Sequence, residues 1–159
     1  MELEPALQQY GNDILKYCYG ILCDYHEAQD AMQDTFIKAY RSRESIREPE
    51  AYRPWLYKIA YRTCLNILQS KRKLLFVAVP ESSYNMDEPF PDPELLAALA
   101  SLSPQDRAIF YSRAVEGMDY SQLESLYQMR GATLRKRYER AKKKLKDYLT
   151  ANGYGIVQI

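Results

Sequence analysis

The last third of the chain carries an apolar stripe at Leu134, Tyr138, Ala141 and Leu145, spaced by four, three and four residues. An α-helix places all four on one face, whereas a strand would split them between its two faces. The same segment is crowded with cations, Arg135, Lys136, Arg137, Arg140, Lys142, Lys143, Lys144 and Lys146, with Glu139 the only acid before Asp147. A helix with one apolar seam and cations around the rest is built to meet phosphate. Taken alone, the segment fits a merely solvated charged helix equally well, so what precedes it decides.

Ser103, Pro104 and Asp106 predict a helix start, with a capping serine, a proline in the first turn and an acid three residues on. Asp119 and Gln122 repeat the capping box after a break at Gly117, and predict a short helix from Tyr120 to about Tyr127. A tight connection then leads into the basic helix. This is helix-turn-helix order, with the last helix placed for the major groove.

Earlier in the chain the apolar spacing predicts three helices, about Leu7 to Leu22, Glu27 to Ser42 and Pro54 to Ser70. No segment alternates as a strand, so the expected fold is all-α. Between Lys71 and Pro93 helical periodicity gives way to Pro80, Pro89, Pro91, Ser82, Ser83 and Asn85, with acids at Glu81, Asp87, Glu88 and Asp92. We read a flexible acidic linker over 71–93, joining a three-to-four-helix bundle over 1–70 to a helix-turn-helix domain over 94–150. A tail over 151–159 is expected to fray, although Ile156, Val157 and Ile159 would suit docking on a partner.

Two helix faces suggest function. On the second helix Ala28, Ala31, Met32, Thr35, Phe36, Ala39 and Tyr40 form the core stripe, leaving Gln29, Asp30, Gln33, Asp34, Ile37, Lys38 and Arg41 outside. Acids and amides around an exposed Ile37 read as a docking face; an ordinary solvated face is the alternative. On the third helix Leu56, Ile59, Ala60, Thr63 and Ile67 define the core side, which puts Trp55, Lys58, Arg62, Asn66 and Gln69 together on the other. Tryptophan stacking on an unpaired base contributes roughly 1–3 kcal/mol, with arginine and asparagine available for backbone and base edges. Alternatively Trp55 covers the core at the helix start.

The chain of 159 residues has 22 basic and 21 acidic side chains, a net charge of only +1. The charge is segregated, however: acids dominate the first fifty residues, and cations collect at Arg62, Lys71 to Lys73 and the terminal helix. Such polarity suits a protein that meets DNA in one place and a basic protein surface in another. Cys18, Cys23, Cys64 and the lone His26 lack metal-ligand spacing, which points to a reducing cytoplasm and to cysteines used as small core residues. No stretch approaches the roughly 20 apolar residues of a membrane span, and Glu2 and Glu4 open an N-terminus unlike the basic start of a signal peptide. Among the 15 tyrosines, Tyr10, Tyr17, Tyr40, Tyr111, Tyr120 and Tyr138 fit core or core-edge positions.

Four strings together carry a resemblance: DAMQDTFIKAYR from Asp30, PWLYKIAYRTCLNIL from Pro54, LSPQDRAIF from Leu102 and ATLRKRYERAKKKL from Ala132. In this order and at these distances, from about Leu7 to Tyr148, the chain resembles the extracytoplasmic-function (ECF) sigma factors of bacterial RNA polymerase. The resemblance implies a first domain (sigma region 2) that docks on the clamp helices of the polymerase and melts the minus-ten promoter element. It implies a last domain (sigma region 4) that reads the minus-thirty-five element. By position, Asp30, Gln33, Asp34, Phe36 and Ile37 fall on the polymerase-docking helix. Trp55, Lys58, Arg62 and Asn66 fall on the melting helix, and Ile46 to Arg53 on the loop that pockets a flipped base. Arg130, Thr133, Arg135, Lys136, Arg137 and Arg140 fall on the recognition helix.

The partners so implied are core RNA polymerase, promoter DNA and an anti-sigma factor, often membrane-tethered. The protein is then cytoplasmic, on the nucleoid when active, with no cofactor, metal, catalytic residue or small-molecule substrate. Its acidic linker would cross the polymerase interior.

Several positions depart from the family pattern. Arg62 stands where asparagine is usual, Glu124 where alanine is, Gln128 where glycine is, and Arg130 where a serine commonly caps the recognition helix. The last three sit in the tight corner, where small or left-handed residues fit best, and predict a reoriented or weakened minus-thirty-five reader. Glu124, Gln128 and Arg62 also keep open a sigma-like polymerase partner without autonomous promoter reading, which the intact basic helix opposes. A ligand-sensing helix-turn-helix regulator leaves the docking helix unexplained. A nuclease using Asp30 and Asp34 lacks further acids to complete a metal site.

Overall fold

Asp24 decides where the first helix must end and the second begin. Its backbone is extended and its carboxylate accepts the amide of Glu27 at 3.0 Å, so it caps the helix that follows. The computed structural model describes residues 3–73 and 93–153. Helix α1 (Leu3–Leu22) closes at Cys23, whose left-handed backbone (φ 56°) lets its amide reach the Tyr19 carbonyl, and α2 (Tyr25–Arg41) follows at once. Two short 3-10 turns, Arg43–Ser45 and Pro49–Ala51, then lead into α3 (Tyr52–Lys73). The flipped-base loop expected over Ile46 to Arg53 is thus partly built of turn, and Tyr52 and Arg53 belong to α3. The three helices pack on one another in pairs around Ile14, Tyr17, Cys18, Ile21, Phe36 and Leu56. Tyr17 meets Tyr57 edge-on at 4.8 Å between ring centroids.

The second unit contains α4 (Pro93–Ala100), α5 (Pro104–Ala114), α6 (Tyr120–Tyr127) and α7 (Gly131–Ala151). Ser103 accepts the Asp106 amide at the start of α5, and Asp119 and Gln122 form a reciprocal capping box at the start of α6. Between them the turn passes through Gly117 at φ 69°, a left-handed conformation that glycine adopts without strain. Helix α7 packs on α4, α5 and α6 through Leu134, Ala141, Leu145 and Leu149, with Tyr138 stacked on Phe110. Where α5 crosses α6, the Tyr127 hydroxyl donates to the Ala108 carbonyl at 2.9 Å and shares a short hydrogen bond with Ser112, all of it buried.

Among the described residues every regular element is a helix. Four local expectations need correction. Helix α3 turns a different face inward: Tyr57, Tyr61 and Cys64 are buried with Leu56, Ala60 and Thr63, while Ile59 and Ile67 are only half-buried. Leu56, Ala60 and Thr63 were on the expected stripe; the tyrosines were not, because a tyrosine reads as polar until a core accepts its ring. Tyr40 is exposed, with the Arg43 guanidinium 4.0 Å from its ring centroid, rather than in the α2 core stripe. Cys23 ends a helix at a half-buried position, unlike the fully buried Cys18. Helix α4 arises from a segment in which no helix was expected. Lys71 to Lys73 continue α3 and Pro93 opens α4; the rest of the expected linker, 74–92, and the apolar end of the tail, 154–159, lie outside the described residues.

Candidate nucleic-acid interface

In the helix-turn-helix the corner is set by Gln128, which ends α6 in the left-handed region (φ 54°, ψ 47°) and donates its amide to the Glu124 carbonyl at 2.8 Å. The backbone therefore makes the left-handed turn without a glycine. For a residue with a Cβ this conformation costs about 1 kcal/mol or more, so the surrounding packing must hold it. Arg130 caps α7 with an extended backbone but makes no side-chain capping bond. From this corner α7 runs with Thr133, Arg135, Lys136 and Arg140 exposed, together with Arg130 itself.

Arg137 stands apart from that set. It is half-buried; its Nη1 donates to Gln105 Oε1 and lies 3.6 Å from the Asp106 carboxylate, so it ties α7 to the start of α5. Arg135 is held differently. Its guanidinium lies 4.9 Å from the centroid of the Tyr120 ring, and that of Arg113 lies 5.0 Å from the same ring. Arg113 also donates to the Met118 carbonyl at 3.0 Å. Arg113 and Tyr120 thus join the basic surface of α7, although neither lies in the basic run from Arg135 to Lys146. The residue types alone carry no signal of it, since the cluster exists only once α5, α6 and α7 have packed.

On α3, Trp55 and Lys58 are half-buried while Arg62 and Asn66 are exposed. Spacings of three, four and four keep them on one side of the helix. Among the described residues Arg62 and Asn66 have no hydrogen-bond or ion-pair partner, so both can reach a ligand. The half-burial of Trp55 means that part of its ring already packs against the protein.

Helix α2 exposes Asp30, Gln33 and Ile37, the last at 45%. Asp34 shares this face and pairs with Lys38 at 3.0 Å, while Lys38 in turn donates to Thr63 of α3 at 3.2 Å. Phe36, placed by motif on the docking helix, is 1% exposed and belongs to the core. Its neighbours on the outer face carry whatever contact α2 makes. Among the described residues no group of three metal-ligating side chains converges, at Asp30 and Asp34 or elsewhere. Nor is any described helix long and apolar enough to cross a membrane.

Comparison with known proteins accounts for both units. Residues 6–74 match the Sigma-70 region 2 family, and residues 93–145 match Sigma-70, region 4. The ECF RNA polymerase sigma factor SigE of Mycolicibacterium smegmatis is 27% identical over 98% of this chain and 64% of its own length. The RNA polymerase sigma factor SigV of Bacillus subtilis is 24% identical over 93% of this chain and 91% of its own. The chain thus spans less than two thirds of SigE and nearly all of SigV. In fold it is similar to the sigma factor RpoE of Bartonella quintana, solved in complex with the anti-sigma factor NepR. The TM-score is 0.78 at 18% identity, covering 94% of this chain and 97% of that one. The acid-bearing outer face of α2 thus lies in the part matched to region 2, and α7, cationic outside and apolar within, in the part matched to region 4; the chain belongs to the extracytoplasmic-function sigma factors of bacterial RNA polymerase.

Proposed function

We propose that the protein directs core RNA polymerase to a set of promoters. In this reading α2 docks on the polymerase through Asp30, Gln33, Asp34 and Ile37. Helix α3 melts the minus-ten element with Trp55, Lys58, Arg62 and Asn66, and α7 reads the minus-thirty-five element with Arg130, Thr133, Arg135, Lys136 and Arg140. The observation that carries the reading is the order on one chain of a region 2 unit presenting an acidic face and a region 4 unit presenting a cationic recognition helix. Melting requires that unstacking, a few kcal/mol per base, be offset by new contacts. An aromatic ring followed by an unengaged arginine and asparagine supplies stacking and hydrogen bonds of that size. The role needs no catalytic group of the chain's own, and it places the protein in the cytoplasm with the polymerase.

We infer the same division into two domains, linker and tail, with the first domain carried to Lys73 by α3 and the second running from Pro93 to Ala151. RpoE, the sigma factor of similar fold, is bound by an anti-sigma factor, and a comparable inhibitor covering the docking faces is proposed here. The test is transcription. Purified protein, core polymerase and a random promoter library should yield transcripts that share a two-part promoter. Polymerase binding without initiation would instead mark a sigma-like partner.

A further inference from the structure

Glycine at the first position of α7 has no backbone reason to be there. Gly131 lies outside the left-handed region, which Gln128 and not glycine occupies at this corner. A Cβ added to Gly131 would stand 2.5 Å from Glu124 Oε1, the movable end of an exposed side chain. The Glu124 carboxylate therefore reaches from α6 across the corner and lies beside Gly131, at the amino end of α7. That end lacks both of its usual partners, since the Arg130 side chain makes no capping bond and no acid lies in the first turn. The helix dipole leaves it partly positive, so a carboxylate there is favoured.

We propose that Glu124 limits the affinity of α7 for DNA by holding a negative charge at the amino end of the recognition helix. This rests on the assignment of α7 as the DNA reader. In that docking mode the amino-terminal residues of the recognition helix approach the base edges, flanked by phosphates. Glu124 puts an acid into that approach and offsets part of the field of Arg130 and Arg135.

The test is fluorescence anisotropy of the full chain on a labelled mixed-sequence duplex, at about 50 mM and about 200 mM salt. Glu124→Gln keeps the shape and removes the charge. It should bind about threefold to tenfold more tightly at the lower salt, with the gain shrinking at the higher. Gly131→Ala, which pushes the carboxylate off the helix end, should shift affinity the same way, and should add nothing on a Glu124→Ala background. Thermal melting of each variant separates these changes from loss of fold. Unchanged or weaker binding by Glu124→Gln, or a gain that salt does not reduce, overturns the proposal. Arg140→Ala in the same assay keeps the two readings apart. If it weakens binding and lowers the salt slope while Glu124→Gln does nothing, the Glu124 proposal fails and the DNA assignment of α7 stands; if neither variant has any effect, both fall.

Discussion

Tyr127 joins α5 to α6 with a single hydroxyl, and buried polar pairs of this kind are costly to break in half. Tyr127→Phe removes its bonds to the Ala108 carbonyl and Ser112 while keeping the ring. A loss of about 1–2 kcal/mol is expected, seen as a lower Tm for the α4–α7 unit; no change would mean the network is dispensable. Gln128→Gly should act in the opposite direction, relieving the left-handed strain by up to about 1 kcal/mol and raising Tm. Cys18 offers a pH test. Its hydrogen bond with the Cys64 thiol, then its burial, then the Cys64 charge hold the thiol well above the ordinary 9.0. The folded state therefore keeps its proton where the unfolded chain releases it. The stabilisation is complete below pH 9 and is lost as pH climbs from there toward the folded value. Cys18→Ala should flatten the alkaline decline in Tm; the same steep decline in the variant would assign it to other groups.

In the proposed role of α7 as the DNA reader, binding and bracing fall to different arginines along the helix. Arg137, tied to Gln105 and Asp106, is expected to act on stability: Arg137→Ala should lower the Tm of the α4–α7 unit and leave the salt slope of DNA binding nearly unchanged. Arg140, exposed on the same helix, should do the reverse, with Arg140→Ala reducing the salt slope by about one. Identical effects of the two variants would remove the distinction. Reading the sequence alone puts both arginines in the DNA-facing set, because neither charge nor spacing reveals that α5 begins beside one of them. On α3 the same limit appears as a rotated core face. Leu56, Ala60 and Thr63 are recognisable as inward, whereas Tyr57 and Tyr61 become core residues only when α1 and α2 supply a surface for their rings. The capping residues Ser103, Asp119 and Gln122 are legible because a cap acts within three residues of itself. Helix α4 was missed because eight residues following a proline-rich stretch carry too little periodicity to stand out.

The proposed promoter-directed transcription requires both units on one chain. Asp34→Arg places a cation on the outer face of α2 at the cost of the half-exposed pair with Lys38, which also donates to the buried Thr63, so holoenzyme formation should be lost while the fold survives, with a stability loss of about 1 kcal/mol. Phe36→Ala, two residues on and so on the opposite, core-facing side of α2, should instead cost about 3–5 kcal/mol and unfold the α1–α3 unit. Loss of polymerase binding by Phe36→Ala with an unchanged Tm would return that residue to the docking surface. The amino-acid sequence by itself determined the helical class, the starts of α5 and α6, the apolar seam of α7 and the order of acidic and basic faces, since each depends on residues within a few positions of one another. Tertiary structure alone decided that Arg137 is tied to α5 while Arg140 is exposed, that Phe36 is core, that Arg113 joins Arg135 around Tyr120, and that the Glu124 carboxylate lies beside Gly131. Each of those depends on which helix packs against which, and the free energy of a side chain is set by neighbours that its own stretch of sequence does not name.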